Sequence, residues 1–182
     1  GFDSSRKTLF VMGGSLGARS INESIAEGLS RFVEEGIQVL WQTGKPYYTT
    51  ALERVRALDS ALVRPYAFIY EMDLAYAVAD VVVSRAGALS VSELCLAAKP
   101  SILVPYPLAA EGHQTQNALS LVNEQAALMV KDAAVHTSLV SEALRLLQDS
   151  VLQAQLVEQI RPLARPHATR DIVAEIILLG PR

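Results

Sequence analysis

The sequence predicts an α/β fold: a doubly wound, Rossmann-like parallel sheet with additional helices at its C-terminal end. Short apolar stretches at residues 8–12, 37–42, 63–68, 80–84, 101–105 and 127–130 alternate with longer amphipathic ones, the rhythm of βαβ units. Several of the short stretches are unbroken apolar runs, as expected of strands covered by helices on both faces. Beyond residue 130 the pattern turns purely helical.

In chain order, the strand at 8–12 runs into a glycine-bearing turn and then a helix over 20–35. Ile21, Ile25, Leu29 and Phe32 recur there at helical spacing, and Gly36 supplies the stop. The second strand covers 37–42, and residues 43–62 are assigned no element before the third strand at 63–68. A helix at 72–79, a strand at 80–84, a helix at 90–98, a strand at 101–105, a helix at 114–125 and a strand at 127–130 follow. Three helices end the chain, at 137–148, 151–163 and about 169–179. No internal repeat, low-complexity tract or linker interrupts residues 1–182, so they are expected to form one domain.

Composition narrows the function classes. The chain is 51% hydrophobic and 19% charged, which suits a globular core. Its net charge of −3 gives no electrostatic reason to expect a nucleic-acid partner. The longest apolar runs, such as 102–107, are strand-sized and far short of the roughly 20 residues of a membrane span. Cys95 is the sole cysteine, so no internal disulfide forms and a reducing cytoplasm is expected. The start at Gly1 rather than Met is expected of a piece cut from a longer polypeptide.

Ligands of doubly wound sheets bind at the carboxyl ends of the strands, which directs attention to three loops. In Gly13-Gly14-Ser15-Leu16-Gly17-Ala18, glycines let the backbone turn tightly and approach a ligand. The helix that follows offers free N–H groups and partial positive charge to a phosphate. The alternative is a turn that only packs helix on strand. The glycine spacing does not match the dinucleotide fingerprint, and Gly44-Lys45-Pro46 does not complete a P-loop.

The second loop, Ser84-Arg85-Ala86-Gly87-Ala88-Leu89, leads into Ser90-Val91-Ser92-Glu93. Ser90 with Glu93 forms the pattern of a capping box, with Leu89 and Leu94 as its staple. The functional reading of the same residues is a second diphosphate-facing helix start, with Glu93 accepting from ribose hydroxyls. The third loop, Pro105-Tyr106-Pro107, is followed by Glu111-Gly112-His113-Gln114-Thr115-Gln116-Asn117. Gln114 and Asn117 share a helical face and carry the donor-plus-acceptor amides that sugar hydroxyls require. A solvated first turn fits the same residues. His113 has neither an assignable carboxylate partner nor metal-ligand spacing around it.

Together these loops, with Phe68-Ile69-Tyr70-Glu71-Met72 and the run from Ala79 through Glu93, resemble the donor domain of the MurG family, glycosyltransferase family 28. The likeness runs from about Thr8 to the C-terminus. It implies one domain of a two-domain GT-B glycosyltransferase, the C-terminal one, which binds UDP-GlcNAc. By position, Ser15 matches a donor-phosphate contact in the loop of Gly13, Gly14 and Gly17. Ile69 matches the residue whose backbone reads uracil, beside Met72, and Ala88, Leu89 and Ser90 match the segment that holds GlcNAc and diphosphate. Ser90 stands where some relatives carry Thr. Glu93 matches the ribose-binding acid, and Gln114 and Asn117 the sugar-reading amides, while His113 replaces a second Gln of some members.

The resemblance further implies inverting transfer of GlcNAc to the C4 hydroxyl of lipid I MurNAc, giving lipid II, at the cytoplasmic face of the bacterial membrane. It implies no cofactor and no metal, in keeping with the lack of an Asp-x-Asp motif. Lipid I, most membrane contact and the general base belong to an N-terminal domain that these residues do not include, so no catalytic residue is expected in this chain. Two alternatives remain at this stage. One is a UDP-sugar epimerase or glycolipid glycosyltransferase of the same architecture; the other is a stand-alone donor-binding subunit that needs a partner chain. A flavodoxin-like signalling domain would leave the three loops without a purpose.

Overall fold

A computed structural model describes residues 2–179; Gly1 and residues 180–182, included in the expected single domain, lie outside the described residues. Six strands form one sheet in the order β3-β2-β1-β4-β5-β6. They are β1 (Thr8–Met12), β2 (Gln38–Gln42), β3 (Val63–Tyr66), β4 (Val81–Ser84), β5 (Ser101–Leu103) and β6 (Leu128–Met129), and every pairing is parallel. The helices are α1 (Arg19–Glu34), α2 (Tyr48–Leu58), α3 (Met72–Val78), α4 (Ala88–Ala97), α5 (His113–Val122), α6 (Val135–Gln148), α7 (Ser150–Ile160) and α8 (Ala168–Leu179).

Side chains of successive strand residues point to opposite faces, and here both faces are apolar. Leu9, Val11, Trp41, Val81 and Val83 pack against α1, α2 and α6, whereas Phe10, Met12, Leu40, Val82 and Leu103 pack against α3, α4 and α5. Fully burying each large side chain stabilises the fold by about 1.5–3 kcal/mol. The strand order reverses between β1 and β4, whose neighbouring ends, Met12 and Ser84, are in register. That is the switch point at which the loops part and leave a crevice.

Helix α2 fills the stretch to which the sequence assigned no element. Ala51 is its one buried residue, so its apolar stripe is too thin to read as a 3.6-residue period. Several expected elements end short. Pro105 has no N–H to continue a ladder at the end of the fifth strand, and the third strand stops at Tyr66, with Phe68 beyond it exposed. Helix α8 has no buried residue, and Ile172 and Ile176 on it are 59% and 61% exposed. Among the described residues no helix is long and apolar enough to cross a membrane.

Candidate functional site

The loops after β1, β4 and β5 meet around one cavity of about 700 Å³ at the switch point, lined by Gly13, Gly14, Gly17, Ser90 and Gln114 among others. Gly17 sits at φ +78° and closes a turn on the Gly14 carbonyl at 3.1 Å. A Cβ on Gly17 would overlap the Thr43 carbonyl, one on Gly44 would overlap the Leu16 backbone, and one on Gly13 would overlap Ala18. These glycines therefore let the loops after β1 and β2 touch backbone to backbone. The packing role and an approach to a ligand are compatible, because Gly14 (φ +86°) faces open space and Ser15 is exposed at the tip. Asn22 braces the arrangement from inside α1, donating to the Thr43 carbonyl at 2.7 Å and accepting from the Trp41 indole at 3.0 Å.

Two helix N-termini border the cavity, and neither has a side-chain cap among the described residues. Ala18 precedes α1 and Gly87 precedes α4, both extended, and neither makes a capping bond from its side chain. The first N–H groups of a helix have no partner within it and carry the positive end of its dipole. Two such ends on one cavity make a place for an anion.

The capping box expected at Ser90 and Glu93 is not formed. Helix α4 begins at Ala88, two residues before Ser90, and Leu89 is 81% exposed, so the staple to buried Leu94 is missing as well. Glu93 instead accepts from the Tyr76 hydroxyl at 3.0 Å. Burial, with the Glu93 carboxylate next, pushes the Tyr76 hydroxyl pKa well above its usual range. Met72, Tyr76 and Glu93 share a second groove of about 490 Å³. The two share no lining residue, but Ser90 of the first and Glu93 of the second lie about one turn apart on α4.

Ile69 is buried, and its N–H donates to Gln42 Oε1 at 2.8 Å, while Gln42 Nε2 donates to the Gly14 carbonyl at 3.2 Å. The expected backbone contact of Ile69 is thus half engaged already. Gln114 Oε1 accepts from the Tyr106 N–H at 2.9 Å, and Asn117 Nδ2 donates to the Ala86 carbonyl at 3.0 Å. Each amide has another polar end to offer. Gln114 lines the cavity, while Asn117 pins α5 to the loop after β4. His113 is exposed, 3.6 Å from a still more exposed Glu111; Ser15, Ala88 and Leu89 are exposed and adjoin lining residues in sequence, without lining the cavity themselves.

Sequence reasoning missed the cavity floor. Buried Arg85 donates to the carbonyls of Val104 (3.1 Å) and Pro105 (3.3 Å), to the Ser20 hydroxyl (3.0 Å) and to Asp132 (2.5 Å). The Ser20 hydroxyl donates in turn to Asp132 at 2.6 Å, and the guanidinium lies 5.3 Å from the centre of the Tyr106 ring. Burial alone would raise the Asp132 pKa, but the bonds from Ser20 and Arg85 outweigh it and hold the carboxyl below its usual range. Arg85 stands in the second of the three loops, and a cation at a strand end is its only signal in the sequence. Asp132 gave none, since nothing local links it to a residue 47 positions away.

The model of the glycosyltransferase family 28 C-terminal domain matches residues 8–170. This chain belongs to that family. It is 53% identical over 169 residues to a protein of Cytophaga hutchinsonii named UDP-N-acetylglucosamine--N-acetylmuramyl-(pentapeptide) pyrophosphoryl-undecaprenol N-acetylglucosamine transferase, an alignment covering 93% of this chain and 45% of the relative. The chain thus spans about half the length of the curated relatives it matches. Among solved structures, MurG of Acinetobacter baumannii superposes with a TM-score of 0.82 at 27% identity, over 94% of this chain and 52% of that one. A UDP-N-acetylglucosamine 2-epimerase reaches 0.65 at 16% identity, over 94% of this chain and 44% of its own, a likeness of fold alone. The expected doubly wound architecture, as one GT-B domain, is therefore borne out.

Proposed function

We propose that this chain binds UDP-GlcNAc as the donor half of an enzyme that passes GlcNAc, with inversion, to the C4 hydroxyl of the MurNAc unit of lipid I, giving lipid II. The observation that carries the reading is the pair of uncapped helix N-termini, α1 and α4, on one cavity. Gly13, Gly14, Ser15 and Gly17 approach the diphosphate from one side, and Ala88, Leu89 and Ser90 from the other. Glu93 takes the ribose hydroxyls, and Ile69 and Met72 border uracil. Gln114, Asn117 and His113 stand at the sugar, on the first turns of α5. The names of the relatives support this substrate class.

Chemically, this half fixes the donor and favours the departure of UDP. Negative charge grows on the leaving diphosphate in the transition state, and preorganised N–H dipoles aimed there lower the barrier without reorganising. The acceptor, the general base and contact with the inner face of the cytoplasmic membrane fall to the part of the relatives' length that this chain does not span. Calorimetric titration with UDP-GlcNAc, UDP-glucose and UDP tests the reading. Binding of UDP and UDP-GlcNAc, with UDP-glucose weaker, is the expected pattern; no binding of any uridine diphosphate refutes it. Incubation of the chain alone with UDP-GlcNAc and a soluble lipid I analogue is expected to yield no product.

A further inference from the structure

Glu93 is exposed on α4, and a free glutamate samples many rotamers that a ligand must freeze. Here one carboxylate oxygen is already held, because Tyr76 Oη donates to Glu93 Oε2 at 3.0 Å. The tyrosine is itself immobile: it is 6% exposed and packs edge-on to Phe10, with ring centres 5.7 Å apart at 81°. Its second possible acceptor is the Met12 sulfur at 3.7 Å. A hydroxyl has a single proton, and an ionised carboxylate is a far stronger acceptor than a thioether. The proton therefore goes to Glu93, and burial keeps it on the tyrosine.

We propose that Tyr76 is a positioning residue for ribose recognition, holding the Glu93 carboxylate so that its remaining lone pairs meet two adjacent hydroxyls. The proposal rests on the reading of Glu93 as the ribose-binding acid. A carboxylate only accepts, and the vicinal hydroxyls of a ribose both donate. With Oε2 tied inward, Oε1 is left for the ligand in the groove shared with Met72. Tyr76 borders the same groove but is 6% exposed and spends its one hydroxyl proton on Glu93, so it acts through that carboxylate.

The test is calorimetric titration of the chain with UDP and with 2′,3′-dideoxy-UDP. The wild type is expected to prefer UDP by about tenfold or more, the scale of hydrogen bonds to a charged group. Tyr76→Phe keeps the ring on Phe10 and removes only the oxygen. It should weaken UDP about three- to tenfold and leave dideoxy-UDP within about twofold. Glu93→Gln should also erode the UDP preference, and adding Tyr76→Phe to it should change UDP affinity by no more than about twofold, because the pair acts as a unit. Equal losses for both ligands in Tyr76→Phe, or an undiminished UDP preference, overturn the role of Tyr76. A wild-type chain that binds both ligands equally overturns the reading of Glu93 instead, and the two failures are thereby told apart.

Discussion

Replacing Arg85 by Met removes the charge from the cavity floor while keeping a long apolar stem. Four hydrogen bonds disappear, to Val104, Pro105, Ser20 and Asp132. The Arg85 side chain is 10% exposed and that of Asp132 22%, so water reaches the stranded groups only in part. The four losses do not add, because they belong to one network. Removing one partner of such a buried pair costs about 3–5 kcal/mol. For a domain of this size each kcal/mol shifts Tm by about 2–4 °C, so a fall of roughly 6–20 °C is expected in differential scanning calorimetry. Arg85→Met with Asp132→Asn should recover part of that loss, since no unpaired charge stays behind.

Acid dependence gives a second readout of the same network. The Asp132 pKa is held below its ordinary value of 3.8, so the unfolded chain binds more protons in that range. Its stabilisation is present in full above the unfolded pKa and is lost as pH falls through the folded one. Arg85→Met should flatten this acid-side loss. A Tm within about 3 °C of wild type at neutral pH, with unchanged acid dependence, would refute the view that Arg85 ties the four loops together.

Three further outcomes are expected. Gly17→Ala should cost at least about 1–3 kcal/mol, because φ +78° disfavours a side chain and the new Cβ meets the Thr43 carbonyl; chemical denaturation measures it. Asn22→Ala strands the indole N–H of Trp41 and the Thr43 carbonyl in the interior, for about 2–4 kcal/mol; Trp41 is the single tryptophan, so its fluorescence follows the unfolding directly. Gln114→Ala should weaken UDP-GlcNAc by about 1–3 kcal/mol while leaving UDP within about threefold, since UDP lacks the sugar that the free end of the amide would meet; equal losses for both ligands would count against a sugar-reading role.

The sequence by itself determined the elements whose signal is local. Ile21, Ile25, Leu29 and Phe32 announced α1, and the apolar runs announced strands buried on both faces, because periodicity depends only on neighbours in the chain. The glycines after the first strand marked a tight turn for the same reason. It could not reveal α2, whose single buried residue leaves almost no stripe. Nor could it tell the cap from the site at Ser90 and Glu93: both readings ask for the same residue types at the same spacing. The tertiary structure decided that question by starting α4 at Ala88 and by carrying Tyr76, on another helix, to within 3.0 Å of the glutamate. It also joined Arg85 to Ser20 and Asp132, 65 and 47 positions away. Such partners meet only because parallel strands return every loop to the same edge of the sheet. Their pairing is a property of strand order, which no local pattern encodes.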